Sequence, residues 1–327
     1  MSSEFDLIRR HFSRGVQHTD LGVGDDGALL RTRSGMQLVV STDMLVSGIH
    51  FFPDAEPEAL GWKTAAVNIS DMAAMAAEPR WITLALALPA SDDKWVGAFA
   101  DGFASCCAAF GVDWIGGDTT RGPLNLCATV FGEVPHGQAV MRSGARPGDD
   151  IWISGMPGLA ALGLRLLLGK VVLSEEARSG CLSALHRPQP RVALGLALRG
   201  VATAMLDVSD GLLGDLAHIL ERSNCGALIE EALLPVKAAQ SACGSEVLAR
   251  EALLSGGDDY ELLFCAPPGQ RQTVLDLSQQ IGLPITRLGV ITQNGNAILM
   301  QGRDGSSAPV MPYGYDHFGC DSQAGKA

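Results

Sequence analysis

Leu21-Gly22-Val23-Gly24-Asp25-Asp26-Gly27-Ala28-Leu29-Leu30 matches the G-x-G-x-x-G spacing of a dinucleotide-binding turn. A turn of that kind needs a strand before it, a helix after it, and backbone N–H groups facing the anion. Asp43, nineteen residues beyond Gly24, stands about where such a unit keeps its ribose-binding acid. Two features oppose the match. Asp25 and Asp26 would repel a pyrophosphate unless a cation came between them. The residues that follow, Ala28-Leu29-Leu30, a polar turn around Ser34-Gly35 and then Met36 to Thr42, predict two strands of a hairpin and no helix. The glycines read as turn residues that present acids, so the question becomes what the acids bind.

The chain has 327 residues, 47% of them hydrophobic, enough for one large core or two ordinary ones, and its length favours two domains. A formal charge of -12 disfavours binding to nucleic acid or to an anionic membrane, both of which need a basic patch. Phosphate chemistry on so acidic a chain requires imported positive charge, most simply metal. The eight cysteines, at 106, 107, 127, 181, 225, 243, 265 and 320, form no C-x-x-C pair and no signal peptide precedes them, which predicts reduced thiols and a cytoplasmic protein. Phe5, Ile8 and Phe12 share one face of an N-terminal helix, and Glu4 and Asp6 argue against a mitochondrial presequence. Leu159 to Leu168 is apolar but too short to span a membrane.

Working outward, Gly61 to Ala77 reads as a helix on which Thr64, Val67, Asn68, Asp71 and Met75 recur at three- and four-residue spacing, so Asn68 and Asp71 project from one face. Glu78-Pro79 should stop it, and Trp81 to Leu88 reads as a buried strand. A helix over about 93–110, a strand at Val112–Ile115, a turn at Gly116-Gly117-Asp118 and a strand near Asn125 to Glu133 follow. The loop from Arg142 to Asp150 is rich in Gly, Pro and charge and marks a boundary, giving domains 1–147 and 148–327. Beyond it come a strand at Ile151–Ser154, a helix at 158–168 whose glycine-rich start suits an anion, a helix over Arg191–Gly200, a strand from Ala204 turning at Asp207–Gly211, a helix at Leu212–Arg222, and the acid turn Gly257–Glu261 before the strand Leu262–Phe264. Strands and helices alternate in both halves, which makes the class α/β or α+β.

Asp25-Asp26, Asp43, Asp118, Asp207 with Asp210, and Asp258-Asp259 all fall at turns or strand ends, and Asp71 lies within an apolar helix. Any one of them has an ordinary explanation, since Asp-Gly and Gly-Asp make turns and Asp caps helices. Together they form a set of hard oxygen donors without His or Cys company, which suits several Mg²⁺ ions shared with substrate phosphates. Asp71 has the strongest individual case, because an acid in an Ala/Met-rich helix is costly to bury unless paired or metal-bound. Neither a Walker A motif nor a protein-kinase H-R-D pattern is present, so a phosphoryl-transfer enzyme of this sequence belongs to another family.

The stretches GVGDDGALL, STDMLVSGIHF, NISDMAAMAAEPRW, GGDTTRGP, MRSGARPGDD, LDVSDGLLGDL, SGGDDYELLF and GYDHFG, in this order over nearly the whole chain, resemble the bacterial thiamine-monophosphate kinase family, within the superfamily of aminoimidazole ribonucleotide (AIR) synthetase and selenophosphate synthetase. The resemblance implies ATP-dependent phosphorylation of thiamine monophosphate to thiamine diphosphate. It also implies a two-domain AIR-synthetase-like fold: a homodimer whose N-terminal sheets join as a barrel, and a C-terminal mixed sheet flanked by helices. Transferred position by position, it makes Asp26, Ser41, Thr42, Asp43, Asp71, Asp118, Asp207 and Asp210 metal ligands. Gly117, Asp118, Arg142 and Ser209 would meet ATP, and His50, Asp258 and Tyr315 the thiamine substrate. Asp43, Asp71, Asp118, Arg142 and Asp210 would form the catalytic set. Asp258 departs from the family, which more often has Glu there. The bland readings are a packed His50, a surface ion pair for Arg142 and a C-terminal core role for Tyr315.

The acceptor in that reaction is a phosphate monoester whose second pKa is about 6, so near neutrality it is already largely a nucleophilic dianion. No general base is needed, and the expected mechanism is direct in-line transfer, with Mg²⁺ and Arg142 offsetting the repulsion of two polyanions. Two other readings stand beside it. One is a sister ATP-dependent synthetase acting on an aminoimidazole precursor or on selenide, the latter disfavoured because the first cysteine is Cys106. The other is a noncatalytic sensor of nucleotide or thiamine phosphate.

Overall fold

A computed structural model describes residues 4–293, 295–312 and 314. These divide into two compact units, one made of residues 4–72 and 77–137, the other of residues 73–76 and 138–314.

The first unit runs α1 (Glu4–Leu7), a π turn, β1 (Thr19–Leu21), β2 (Leu29–Leu30), β3 (Met36–Val46), α2 (Pro57–Ala74, its last two residues packing with the second unit), β4 (Glu78–Leu88), α3 (Asp93–Ala109), β5 (Asp113–Arg121) and β6 (Asn125–Pro135). Its main sheet has the order β3-β6-β4-β5, antiparallel except for the β4–β5 pair. The sheet is open, with β3 and β5 as its edges, and among the described residues no barrel closes. Buried Ile69 and Met72 of α2, Phe99 and Phe103 of α3, and Ile82 and Leu126 of the sheet belong to its core. The two helices touch backbone to backbone: a methyl on Gly61 would lie 2.0 Å from the Phe99 carbonyl oxygen, and one on Gly102 would lie 1.8 Å from that of Glu58.

Three expectations need correcting here. The expected hairpin between Leu29-Leu30 and Met36–Thr42 does not form, because β2 pairs with β1 while β3 is taken up by β6 along its whole length, from Met36 opposite Pro135 to Val46 opposite Asn125. Gly116-Gly117-Asp118 is no turn but continues β5, since the missing side chain of Gly117 lets the strand lie against Leu84, whose carbonyl a Cβ would overlap. The helix ends at Ala74, ahead of Glu78-Pro79, which already belong to β4.

The second unit contains β7 (Asp150–Ser154), α4 (Leu159–Leu167), α5 (Glu175–His186), α6 (Val192–Ala197), β8 (Ala204–Asp207), α7 (Leu212–Ser223), β9 (Gly226–Glu230), α8 (Lys237–Cys243), α9 (Glu246–Ser255), β10 (Leu262–Ala266), α10 (Arg271–Ile281), β11 (Ile285–Thr292), β12 (Ile298–Gln301) and β13 (Ser307–Pro309). The strands form one mixed sheet, β13-β12-β9-β11-β7-β10-β8, in which only β12 and β9 run parallel. Alternate residues of the central strands feed two cores: Ile151 and Leu263 join Leu212 and Leu216 of α7, while Trp152 and Phe264 join Leu194 of α6 and Val274 of α10.

Candidate active site

In the first unit, the acids meet where β3 passes α2. Ser41 and Asp43, two apart on a strand, share a face, as do Asn68 and Asp71, three apart on a helix. The Ser41 hydroxyl donates to the Asp71 carboxylate at 2.5 Å, and the backbone N–H of Asp43 donates to Asn68 Oδ1 at 3.0 Å. Asn68 is itself held by its amide, which donates to the Thr64 carbonyl. Thr42 lies on the other strand face, with its hydroxyl 2.9 Å from that of Thr129. His50 Nδ1 accepts the Val46 N–H at 3.0 Å, which leaves a neutral imidazole ring with its proton on Nε2.

The Gly22–Gly27 loop joins β1 to β2, with no helix after it. Buried Asp113 anchors the chain just ahead of it, accepting the N–H groups of Gln17 and His18 and the Thr19 hydroxyl. Within the loop Asp25 accepts the N–H of Asp26, which separates the two acids: Asp25 shapes the turn and Asp26 is exposed at its tip. Asp118 stands apart. The strand row through Asp43 runs Asp43, Ala128, Leu84, Gly117, so three strand spacings, about 14 Å, lie between β3 and β5.

In the second unit two acid turns lie side by side. Val208 donates its N–H to the Glu261 carbonyl, Tyr260 donates to that of Val208, and Asp258 donates to that of Ser209, at 2.8, 2.8 and 2.9 Å. The approach is so close that a Cβ on Gly257 would lie 2.3 Å from the Ser209 oxygen, and Gly211, at φ +117°, makes the bend into α7. Asp207 is buried at the end of β8, and Asp210 follows in the turn. Asp215 Oδ2 accepts the N–H groups of both Ser209 and Asp210 at 3.1 Å. Burial, the largest influence, pushes the Asp215 carboxyl up to about 7; the two N–H bonds and the Arg142 charge work against the rise, and the Asp210 charge adds to it.

The run Asp258-Asp259-Tyr260-Glu261 alternates in role. Asp258 and Tyr260 both take left-handed backbone conformations, φ +66° and +51°, and the Tyr260 hydroxyl donates to the Asp258 carboxylate. Asp259 turns the other way and accepts the Gly158 N–H through both oxygens, at 2.8 and 2.9 Å. The glycine-rich start of α4 therefore receives a carboxyl group supplied by the chain itself. Burial first, then the neighbouring Glu261 and Asp258 charges, hold the Asp259 carboxyl well above the usual range. Glu261, also buried, takes two bonds from Arg191 and one from Ser154. Gly314 reaches the other turn, at Asp210, where a methyl on it would lie 3.4 Å from Gly214 Cα and 3.6 Å from the Asp210 carbonyl oxygen; Tyr315 lies outside the described residues.

Among the described residues no three His, Cys, Asp or Glu side chains make a ready metal cage. The oxygen-only donors on β3 and α2, the Ser41 hydroxyl and the Asp43 and Asp71 carboxylates, fit Mg²⁺, which commonly takes one or two carboxylates and fills its remaining positions with water and substrate phosphate. Sequence reasoning missed Asp215 and left Asp259 unassigned. The available signal for Asp215 was an acid on the same helical face as Leu212, Leu216 and Ile219, a position where burial requires partners.

Residues 24–134 match the family model of the AIR synthase related protein N-terminal domain, and residues 146–301 that of its C-terminal domain. Thiamine-monophosphate kinase of Escherichia coli K12 is 43% identical over 319 residues, covering 96% of this chain and 98% of that one. The chain belongs to the thiamine-monophosphate kinase family. The family's Haemophilus influenzae member is 38% identical over 96% of this chain and 98% of its own length. The crystal structure of thiamine-monophosphate kinase from Stenotrophomonas maltophilia K279a superposes with a TM-score of 0.82 at 46% identity, over 89% of this chain and 92% of that one. AaThiL, solved in complex with AMPPCP and TMP, gives a TM-score of 0.76 at 30% identity, over 90% of this chain and 92% of that one. E. coli HypE, a hydrogenase maturation protein, shares the fold at 21% identity, with a TM-score of 0.76 over 95% of this chain and 97% of that one.

Proposed function

We propose that the protein transfers the γ-phosphoryl group of ATP to thiamine monophosphate, giving ADP and thiamine diphosphate, the last step of thiamine diphosphate biosynthesis. The observation that carries this reading is the nearly full-length kinship with thiamine-monophosphate kinases, one relative of which was solved with an ATP analogue and TMP. The acid clusters fit it, since they supply oxygen ligands for cations.

A terminal phosphate oxygen of thiamine monophosphate attacks the γ-phosphorus in line, a P–O bond forms there, and the bond to the β,γ-bridging oxygen breaks to release ADP. Ser41, Thr42, Asp43 and Asp71, with Asp26, Asp118, Asp207 and Asp210, are the residues that would hold Mg²⁺. When bound, Mg²⁺ neutralises phosphate charge. Arg142, with Gly117 and Ser209, is assigned to ATP, and His50, Asp258 and Tyr315 to the thiamine substrate. At Asp258 the side chain is one methylene shorter than the family's usual Glu, and Tyr260 orients it.

We further propose a homodimer closed through the four-stranded sheet. Leu38, Val40 and Met44 on β3 are 48%, 55% and 53% exposed on one face of an edge strand, an apolar surface that a second copy would cover. A barrel built from two copies would also bring a second β5 within reach of β3, which suits the distance of Asp118 from Asp43 in one chain. The seven described cysteines form no disulfide among the described residues, which suits the reducing cytosol.

An ADP-release assay with and without thiamine monophosphate tests the reaction. Acceptor-dependent ADP formation with stoichiometric thiamine diphosphate is the expected result; binding of both ligands without turnover would make the protein a sensor. Labelling with [γ-³²P]ATP in the absence of acceptor should leave no phosphate on the denatured enzyme, and a stable phosphoenzyme would overturn direct transfer.

A further inference from the structure

Asp215 is the fourth residue of α7, and helical side chains tilt toward the N-terminus, so its carboxylate reaches back under the turn that precedes the helix. It is 3% exposed and lies among Leu212, Leu216 and Ile219, which are fully buried. One oxygen, Oδ2, takes the N–H groups of Ser209 and Asp210 together. Consecutive backbone N–H groups at a helix start form a concavity that ordinarily receives a phosphate or another anion. Here that concavity is filled from inside by the protein's own carboxylate.

The consequence is geometric. With both amides turned inward onto Asp215, and with the Ser209 carbonyl taken by the Asp258 N–H and that of Val208 by the Tyr260 N–H, the backbone of 208–210 is fixed on two sides. A turn whose amides are spent this way cannot grip a bare phosphate through its backbone. It instead carries Asp207, Ser209 and Asp210, a set suited to a cation and to phosphate that arrives with one. An apolar residue at 215 would avoid burying a charge but would leave the Ser209 and Asp210 N–H groups without this acceptor, so what the carboxylate supplies is the fixed turn.

We propose that Asp215 is a positioning residue that presets the Ser209–Asp210 turn for metal-bound nucleotide without itself touching metal or nucleotide. The inference rests on the reading of that turn as a nucleotide and metal site. Asp215→Leu keeps the branching of the side chain and removes the acceptor; Asp215→Asn keeps both the volume and an acceptor oxygen.

Calorimetric titration of the whole protein with AMPPCP and Mg²⁺, alongside thermal melting, separates the possibilities. Asp215→Leu should still fold yet bind the magnesium nucleotide about tenfold or more weakly, while Asp215→Asn stays within about threefold. A folded leucine variant with wild-type affinity, or an asparagine variant as weak as the leucine one, overturns the proposal. Should the leucine variant not fold, amide hydrogen exchange on the wild-type protein decides. Ser209 and Asp210 N–H groups already protected without ligand support a preset turn, and groups that exchange freely until nucleotide binds refute it. None of these measurements uses thiamine monophosphate, so a protein that binds nucleotide but fails to phosphorylate that acceptor would refute the proposed reaction and leave the role of Asp215 standing.

Discussion

Ser41 and Asp71 meet hydroxyl to carboxylate at 2.5 Å, thirty residues apart in the chain, and so tie the edge strand β3 to the helix α2 at the point where Asp43 and Asn68 also meet. A half-buried acid used this way is arranged for a cation more than for stability. Replacing Asp71 or Asp43 by Asn keeps the volume and removes a charge, and kcat should fall by on the order of a thousandfold with the melting temperature little changed. Steady-state kinetics at saturating Mg²⁺ and thermal melting check this; near-normal kcat in either variant removes that residue from the metal site.

The Gly22–Gly27 loop should bind phosphate only through a cation. Calorimetry should show ATP affinity collapsing on chelation of Mg²⁺ and falling about tenfold in Asp26→Asn, with no NAD binding. Affinity indifferent to both changes would reject this role for the loop, and tight NAD binding would restore a dinucleotide site.

If a second copy supplies Asp118 to the site that contains Asp43, then Asp43→Asn and Asp118→Asn should each be inactive alone and complement when mixed. In each mixed dimer one site carries both changes and the other neither. Random exchange of subunits should therefore recover about a quarter of wild-type activity. Mixtures that stay inactive after subunit exchange has been verified would place both acids in a site made by one chain. Val40→Asp, placed on the apolar face of β3, should shift sedimentation toward monomer.

Asp150 gives a pH signature of stability. Burial raises its pKa, but hydrogen bonds from Arg271 and Arg287 outweigh burial and hold the carboxyl below the usual carboxylate range. A carboxyl whose folded value is depressed contributes its full stability above the unfolded value of about 3.9 and loses it as pH falls through the folded value. Asp150→Asn should cost about 2 kcal/mol at pH 7, and the gap to wild type should begin to narrow below about pH 4 and close as pH falls through the folded value. Urea unfolding at both pH values tests this, and a pH-independent gap would show that the ion pairs are not its source.

Read alone, the sequence determined the alternation of strands and helices, the oxygen-only acid set, and the shared helical face of Asn68 and Asp71, because periodicity and residue chemistry are local properties. It also weighed against the dinucleotide turn, since two adjacent carboxylates at Asp25 and Asp26 carry their repulsion wherever the chain places them. Tertiary structure decided what depends on a distant partner. Gly116-Gly117-Asp118 reads as a turn until β4 lies beside it, and Leu29-Leu30 looks like the partner of β3 until β6 takes all of β3. Asp258 and Asp259 are chemically identical neighbours, and only the arrival of the Gly158 N–H, about a hundred residues away in sequence, turns one into an anchor and leaves the other to the Tyr260 hydroxyl. Asp215 acquired its role in the same way: its two N–H partners are only five and six residues behind it, but it is the packing of α7 against the sheet that buries the carboxylate and aims it at them.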